Sequence, residues 1–388
     1  MKKLTLLFLY FTCITAFCQK QYKKTLWDNS CNCPVQFATI SNNDNYSISN
    51  EDGLFNIITD NDSVIFNMLG YEKLSFKLSE IKNDTIFVKS KAFLLDEVVI
   101  HSNNIYESII KSKKTDYTVE PHVEKFFLRT IIRKNNEIIK IADLSGKIKK
   151  QGGLKIKDKS SKDNLSVEID NYRKAYALKK DYRFSFLSSI NHFFYSHNST
   201  NLLVSKNFNF NYSTLKDSSY TKMNATLKKD IPGSDIKGYY IINNDNKNFE
   251  RTNISFFWTD NNYIIIDEDL KFRGLSQNID TYYKKNIANN KLQINKKIVN
   301  FKIENIYDGQ KDTIEVSYIY FAEPINSSVK VKDNVNHDKS LFDLKFKYRN
   351  DFWETQEKLP LTKEMQLFIN KIKQSEYNSN YTTKTNIK

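Results

Sequence analysis

The stretch Asn50-Glu51-Asp52-Gly53-Leu54-Phe55-Asn56-Ile57-Ile58-Thr59 decides how the N-terminal region is read. Asn, Asp and Gly close together make a turn whose glycine can take positive φ, and Phe55 and Ile57 then alternate onto one face of the strand that leaves it. Runs of β-branched or aromatic residues flank this hairpin at 35–40, 63–69, 73–78, 85–89 and 97–100. Their spacing of about 8 to 12 residues predicts a small β-sandwich over 31–101. At 102–116 the period changes, with Ile105 and Ile109 on one helical face and Ser102 as cap, which predicts a linker helix and a domain joint.

Strands resume beyond the joint. Residues 126–134 and 137–142 read as a hairpin through Asn135-Asn136, and further strands are expected at 165–169, 202–210, 236–242, 250–258, 263–267, 299–306, 313–321 and 341–348. Together they predict a larger antiparallel β-sheet domain over 117–376. Residues 151–164, 211–230 and 326–340 are polar and read as surface loops. Near the end, Met365, Phe368, Ile369 and Ile372 fall at helical spacing and predict an amphipathic helix over 362–374. Residues 377–388 read as a polar, frayed tail.

The N-terminus carries an address. Lys2-Lys3 precede the apolar run 4–11, and Ala16 and Cys18 supply small residues before Gln19, so 1–18 reads as a cleaved secretory signal and 19–30 as an N-terminal segment. Lipid attachment at Cys18 is disfavoured by the bulky Phe17. Cleavage leaves Cys31 and Cys33, either as a strained local disulfide or as two free thiols; two ligands alone do not close a zinc site.

Four elements in order carry a family resemblance: Pro34-Val35-Gln36-Phe37-Ala38-Thr39-Ile40, Asn50-Glu51-Asp52-Gly53-Leu54-Phe55, Met68-Leu69-Gly70-Tyr71-Glu72 and Leu95-Asp96-Glu97-Val98-Val99-Ile100. They resemble the carboxypeptidase regulatory-like domain, a transthyretin-like sandwich common in exported proteins of Bacteroidota. The resemblance implies a seven-stranded sandwich in which Phe37, Phe55 and Tyr71 pack between two sheets and Gly53 and Gly70 sit at reversals. The usual opening strand is replaced by Leu26-Trp27-Asp28-Asn29 and the two cysteines. No His-x-x-Glu zinc motif follows, and about 285 residues are too few for a transporter plug and barrel. The remainder is similar to the C-terminal part of exported Bacteroidota proteins named for this domain, through Lys125-Phe126-Phe127-Leu128-Arg129, the Gly238 hairpin with Phe249-Glu250-Arg251, and Phe352-Trp353-Glu354. The hairpin also resembles the curved half-barrels of lipoprotein carriers, at the level of fold alone.

Composition narrows the function classes. The chain has 388 residues and a formal charge of +14, or +12 once Lys2 and Lys3 leave with the signal. Only seven of its 59 cations are arginine, so the bidentate forks of phosphate recognition are scarce and no nucleic-acid partner is expected. The mature chain has no apolar run long enough for a transmembrane helix. Of the five histidines, His101, His122, His192, His197 and His337, the pair His192 and His197 has no third ligand nearby and His101 and His337 sit beside predicted turns, and no Gly-x-Ser-x-Gly or phosphate-binding glycine loop occurs. No catalytic residue, cofactor or metal is expected. Aromatics are abundant at 14%, and the candidate ligand-binding residues are Tyr239, Tyr240, Phe257, Trp258, Tyr318 and Tyr320, weighed against service in a β core. The expectation is a non-enzymatic, exported periplasmic or outer-membrane-associated protein that binds or scaffolds an envelope protein, glycan or lipid, with strand edges of the sandwich as contacts. The alternatives are a carrier of an apolar ligand in a curved sheet, and a peptidase accessory or remote hydrolase.

Overall fold

A computed structural model describes residues 20–42, 45–90, 95–96, 120–151, 165–183, 188–196, 208–215, 219–229, 232–286, 289–355 and 358–387. The expected signal, the linker helix, the strand at 97–100, residues 202–207 and the histidines His101 and His197 lie outside these. The protein is mainly β and divides into two units, one of residues 1–93 with 349–367, the other of 94–348 with 368–388. The division falls at Phe93, ahead of the joint expected at Ser102.

The first unit contains β1 (Lys20–Asp28), β2 (Cys33–Pro34), β3 (Thr39–Ser41), β4 (Tyr46–Ile48), β5 (Leu54–Thr59), β6 (Ser63–Asn67), β7 (Leu74–Lys77) and β8 (Thr85–Val88). They form two four-stranded sheets, β2-β1-β5 with β8 on β1, and β4-β3-β6-β7. The described strands thus number eight, where the family resemblance implied seven. Alternation makes the core: Leu26, Ile40, Phe55, Ile57, Val64 and Phe66 are buried together, while their sequence neighbours in β5 and β6 stay more open. Gly53 has φ +76°, and a β-carbon there would lie 2.4 Å from the Leu26 carbonyl oxygen, so both the turn and the close passage of β1 require glycine.

Two readings of this unit change. The segment 19–30 is not a preamble, because it forms β1 and pairs with β2, β5 and β8. Its alternation is disguised by Lys24, whose ammonium donates to the Ile81 and Asn83 carbonyls. Residues 35–40 are not one strand: Phe37 takes φ +59°, its N–H donates to the Ser49 carbonyl, and it stays out of the inter-sheet core. Cys31 and Cys33 are joined by a disulfide in the β1–β2 turn.

The second unit contains β9 (Leu95–Asp96), β10 (His122–Lys134), β11 (Glu137–Lys150), β12 (Leu165–Lys179), β13 (Phe208–Leu215), β14 (Tyr220–Leu227), β15 (Ser234–Asn243), β16 (Phe249–Trp258), β17 (Ile264–Ile265), β18 (Leu270–Lys285), β19 (Leu292–Tyr307), β20 (Gln310–Ile325) and β21 (Tyr381–Thr385). Their order in one antiparallel sheet is β21-β12-β11-β10-β20-β19-β18-β16-β15-β14-β13-β9, with β17 on β18. Asn135 and Asn136 at φ +50° and +72°, and Asp308 and Gly309 at +49° and +71°, make the two tight turns that reverse β10 and β19. The helix Ile190–Ser196 places Ile190 and Phe193 on one face, in a core shared with Leu128, Leu144, Tyr172, Val299, Tyr318 and Tyr320.

Here too the structure corrects the reading. Residues 211–230, expected as a loop, carry most of β13 and β14, with Tyr212, Met223 and Ala225 in a core of their own. Strand β18 went unrecognised because its long polar middle breaks the alternation. Residues 341–348 form a short 3-10 turn and an extended stretch instead of a strand; Leu341, Phe342 and Leu344 plug the core while Lys174 donates to the Phe342 and Leu344 carbonyls. Gly238 sits inside β15, paired with Ala225 and Ile254, and turns nothing. The polar tail contains β21, which pairs with β12. The helix Lys363–Lys373 is capped by the Thr362 hydroxyl, which accepts from the Met365 N–H.

Candidate functional site

The six aromatic candidates do not share a surface. Tyr240, Tyr318 and Tyr320 are buried in the cores, which removes them as ligand contacts. Phe193 lies 5.4 Å from both Tyr318 and Tyr320, centroid to centroid, so rings fill the space under the helix Ile190–Ser196. Trp258 packs on the same side, against Phe301 and the bare α-carbon of Gly274. Tyr239 lies on the opposite sheet face, where Lys222 and Arg251 sit at 4.7 and 5.5 Å from its ring. Phe257 is 38% exposed beneath Lys237. The cations already beside these rings leave less aromatic surface for a sugar to stack on.

The chemistry sits instead in two buried carboxylates that aromatic abundance does not point to. Glu124 of β10 accepts from Lys150 Nζ at 2.6 Å and from the Tyr320 hydroxyl at 3.0 Å, and lies 3.0 Å from His122 Nε2. Burial alone would raise its pKa, but Lys150 and His122 outweigh that and bring it down to about 2. Lys297 of β19 faces Tyr320 across the strands and lies 5.5 Å from the Phe193 ring. Burial, with help from the Lys150 charge, lowers the Lys297 pKa to about 7. His192, next to Phe193, lies 3.1 Å from the Tyr318 hydroxyl, and burial lowers its pKa.

The second carboxylate, Asp143, occupies the other sheet face. The register aligns Arg129, Asp143 and Arg173 across β10, β11 and β12. Arg129 binds Asp143 through Nε and Nη2, both at 2.9 Å, and Arg173 adds contacts of 2.7 and 2.6 Å. The same face continues to Arg251, which forks onto Asp280 at 2.7 and 2.6 Å between Tyr239 and Tyr282. Each cluster has a sequence signal that was open to view. Arg129 is in phase with apolar Phe127 and Ile131, and Glu124 with Phe126 and Leu128, so each charge falls on an inward-facing position.

The outward chemistry is concentrated at one tip. Ile264, Ile265 and Ile266 are 57, 72 and 48% exposed. The flanks hold them in place: Tyr263 donates to Glu304, which also accepts from Arg273 and Lys311, while Asp267 pairs with Arg183 and accepts the N–H groups of Asp269 and Leu270. Among the described residues, strand β17 pairs only with β18. An anchored apolar triplet flanked by Asp267 and by the cations Arg183, Lys271, Arg273 and Lys311 is the arrangement expected of a contact surface. Among the described residues no helix is long and apolar enough to cross a membrane, and no group of three or more His, Cys, Asp or Glu side chains is arranged to hold a metal ion.

No family model matches the chain, and no curated protein matches it. Solved structures with some similarity include a Bacteroides fragilis protein described as membrane-associated and of unknown function, 9% identical over 80% of this chain and 99% of that one, with a TM-score of 0.15. Pseudomonas aeruginosa OccK5 (OpdH) is 10% identical over 53% of this chain and 98% of its own, at 0.15. Pseudomonas aeruginosa OccK3 (OpdO) is 9% identical over 57% and 99%, at 0.14. TM-scores this low carry no argument about fold or activity.

Proposed function

We propose that this is a non-catalytic, exported component of the bacterial cell envelope that binds or scaffolds another envelope protein, and that the isoleucine tip is its contact. The observation that carries the reading is the exposure of Ile264, Ile265 and Ile266 on anchored flanks. A folded chain keeps three consecutive isoleucines in water at a cost, which burial against a partner removes. An apolar centre inside a rim of both charge signs, with Lys271, Arg183 and Lys311 beside Asp267, matches the anatomy of a protein–protein contact. The two packed sheets of the first unit, with the glycine-dependent turn at Gly53, support reading it as a regulatory-like sandwich. The carrier alternative gains nothing from the sheet face under the helix Ile190–Ser196, which is filled ring against ring.

Envelope fractionation and cross-linking test this. The native protein should sediment with a cross-linked envelope protein, and Ile265→Asp should release it to the soluble fraction without loss of thermal stability. Equal partitioning of the two, or saturable hydrolysis of peptides or glycans by the purified protein, would overturn the reading.

A further inference from the structure

The outer edge of β4 is covered by the chain itself. The Ile48 N–H donates to the Lys358 carbonyl at 2.9 Å, Asn50 Nδ2 to the Pro360 carbonyl at 3.4 Å, and the Lys363 N–H to Asp52 Oδ2 at 2.8 Å. Residues 48, 50 and 52 therefore meet 358, 360 and 363 in the same order, so the segment runs parallel to β4. Lys358 Nζ also donates to Asn45 and to the Tyr46 carbonyl, and lies 4.3 Å from the Tyr46 ring centre. Leu359 and Pro360 are buried between these contacts, and Trp353 and Met365 are buried on either side. Asn50 closes its own turn as well, accepting from the Asp52 and Leu54 N–H groups, so one side chain shapes the hairpin and grips the segment.

We infer that this edge is an exchange site between two copies of the chain: the sandwich strands 20–90 of one molecule can receive residues 358–363 of another, and each copy completes its partner. The sandwich is incomplete without a segment encoded some 300 residues later, as the separations of these hydrogen bonds show. Every contact made within one molecule is available between two, because donor and acceptor chemistry are unchanged. The balance between the closed monomer and the exchanged dimer is then set by effective concentration. This inference does not depend on the isoleucine tip.

The full mature chain tests it. Refolding at roughly 100 μM in place of roughly 1 μM should raise the share of dimer on a sizing column about tenfold or more, as a bimolecular step requires. In the double variant Asp52→Cys with Lys363→Cys, a short bismaleimide applied after refolding should join two chains into a covalent dimer, while either single variant should not. The same double variant cross-linked within its monomer beforehand should refold at high concentration without dimer. Dimer that persists in the tethered protein, or cross-links confined to single chains at every concentration, would overturn the exchange. If the cysteine variants do not fold, two differently tagged wild-type copies refolded together at high concentration decide it, since failure to co-purify has the same meaning.

Discussion

Glu124 and Asp143 are both fully enclosed carboxylates on neighbouring strands, yet they lie on opposite faces of the sheet and are neutralised by different chemistry. Asp143 is held by two guanidinium groups that stay charged at any accessible pH. Glu124 is held by an amine, an imidazole and a phenol, three unlike groups in place of two matching forks. A buried carboxylate can therefore be held by a clamp of matching forks or by a mixed set of partners, and only the partners distinguish the two. The clamp ties β10, β11 and β12 permanently. The mixed cluster lies by the helix Ile190–Ser196, with Lys150 near the Phe194 ring and Lys297 near that of Phe193.

Asp143→Asn leaves two arginines enclosed without a counter-charge, a change that costs about 3–5 kcal/mol in such settings. Urea unfolding should show that loss, equally at pH 6, 8 and 10, because neither arginine can discharge. A cost that shrank as pH rose would mean that water reaches the pair.

Glu124→Gln should cost less, about 2–3 kcal/mol near pH 7, since the amide keeps an acceptor for the Tyr320 hydroxyl while Lys150 loses its counter-charge. Because the wild-type carboxylate loses its charge in acid, the penalty should shrink as pH falls from about 4.5 toward 2. A pH-independent penalty would show that packing, and not charge, sets it. In the wild type, Glu124 has a folded pKa of about 2 against an ordinary value near 4.5. Its stabilisation is therefore full above about pH 4.5 and is lost as pH falls from there toward 2. Asp143, also held below the ordinary value after its arginines outweigh burial, loses its contribution in the same acid direction. Acid unfolding followed by circular dichroism should accordingly begin below pH 4.5.

Much of this fold was legible because turns and alternation act locally. The Asn135-Asn136 hairpin, the Asn50–Gly53 turn with β5 after it, and the capped terminal helix are all decided within a few residues. What stayed hidden depends on contacts distant in sequence. Strand β1 looks polar because Lys24 reaches carbonyls more than fifty residues away, and the segment at 341–348 looks like a strand because it alternates, although its carbonyls are claimed by Lys174. The aromatic runs were misleading for a related reason. Tyr318 and Tyr320 share the phase of Val316 and Ala322, so they turn inward, whereas the exposed isoleucines follow an Asp-Asn-Asn stretch that reads only as a turn. Arg129 and Asp143 could be suspected one at a time from their apolar phase, but their alignment with Arg173 requires the register of three strands.

The remaining effect concerns Lys297, beside the Glu124 cluster. Burial and the Lys150 charge hold the Lys297 pKa near 7 in the folded chain, well below its ordinary value near 10.5. The unfolded chain therefore binds more protons than the folded one between those limits, so stability should climb from about pH 7 to about pH 10.5 and be flat in this respect below 7. Lys297→Met keeps the side-chain bulk, removes the amine and abolishes that climb. At pH 7 the variant should be the more stable of the two, because an apolar side chain has no desolvation cost there. The slope is the informative quantity: a methionine variant with the same rise between pH 7 and 10 would assign the titration to another amine, with Lys296 on the opposite face, lowered to about 7 by burial, as the first to test.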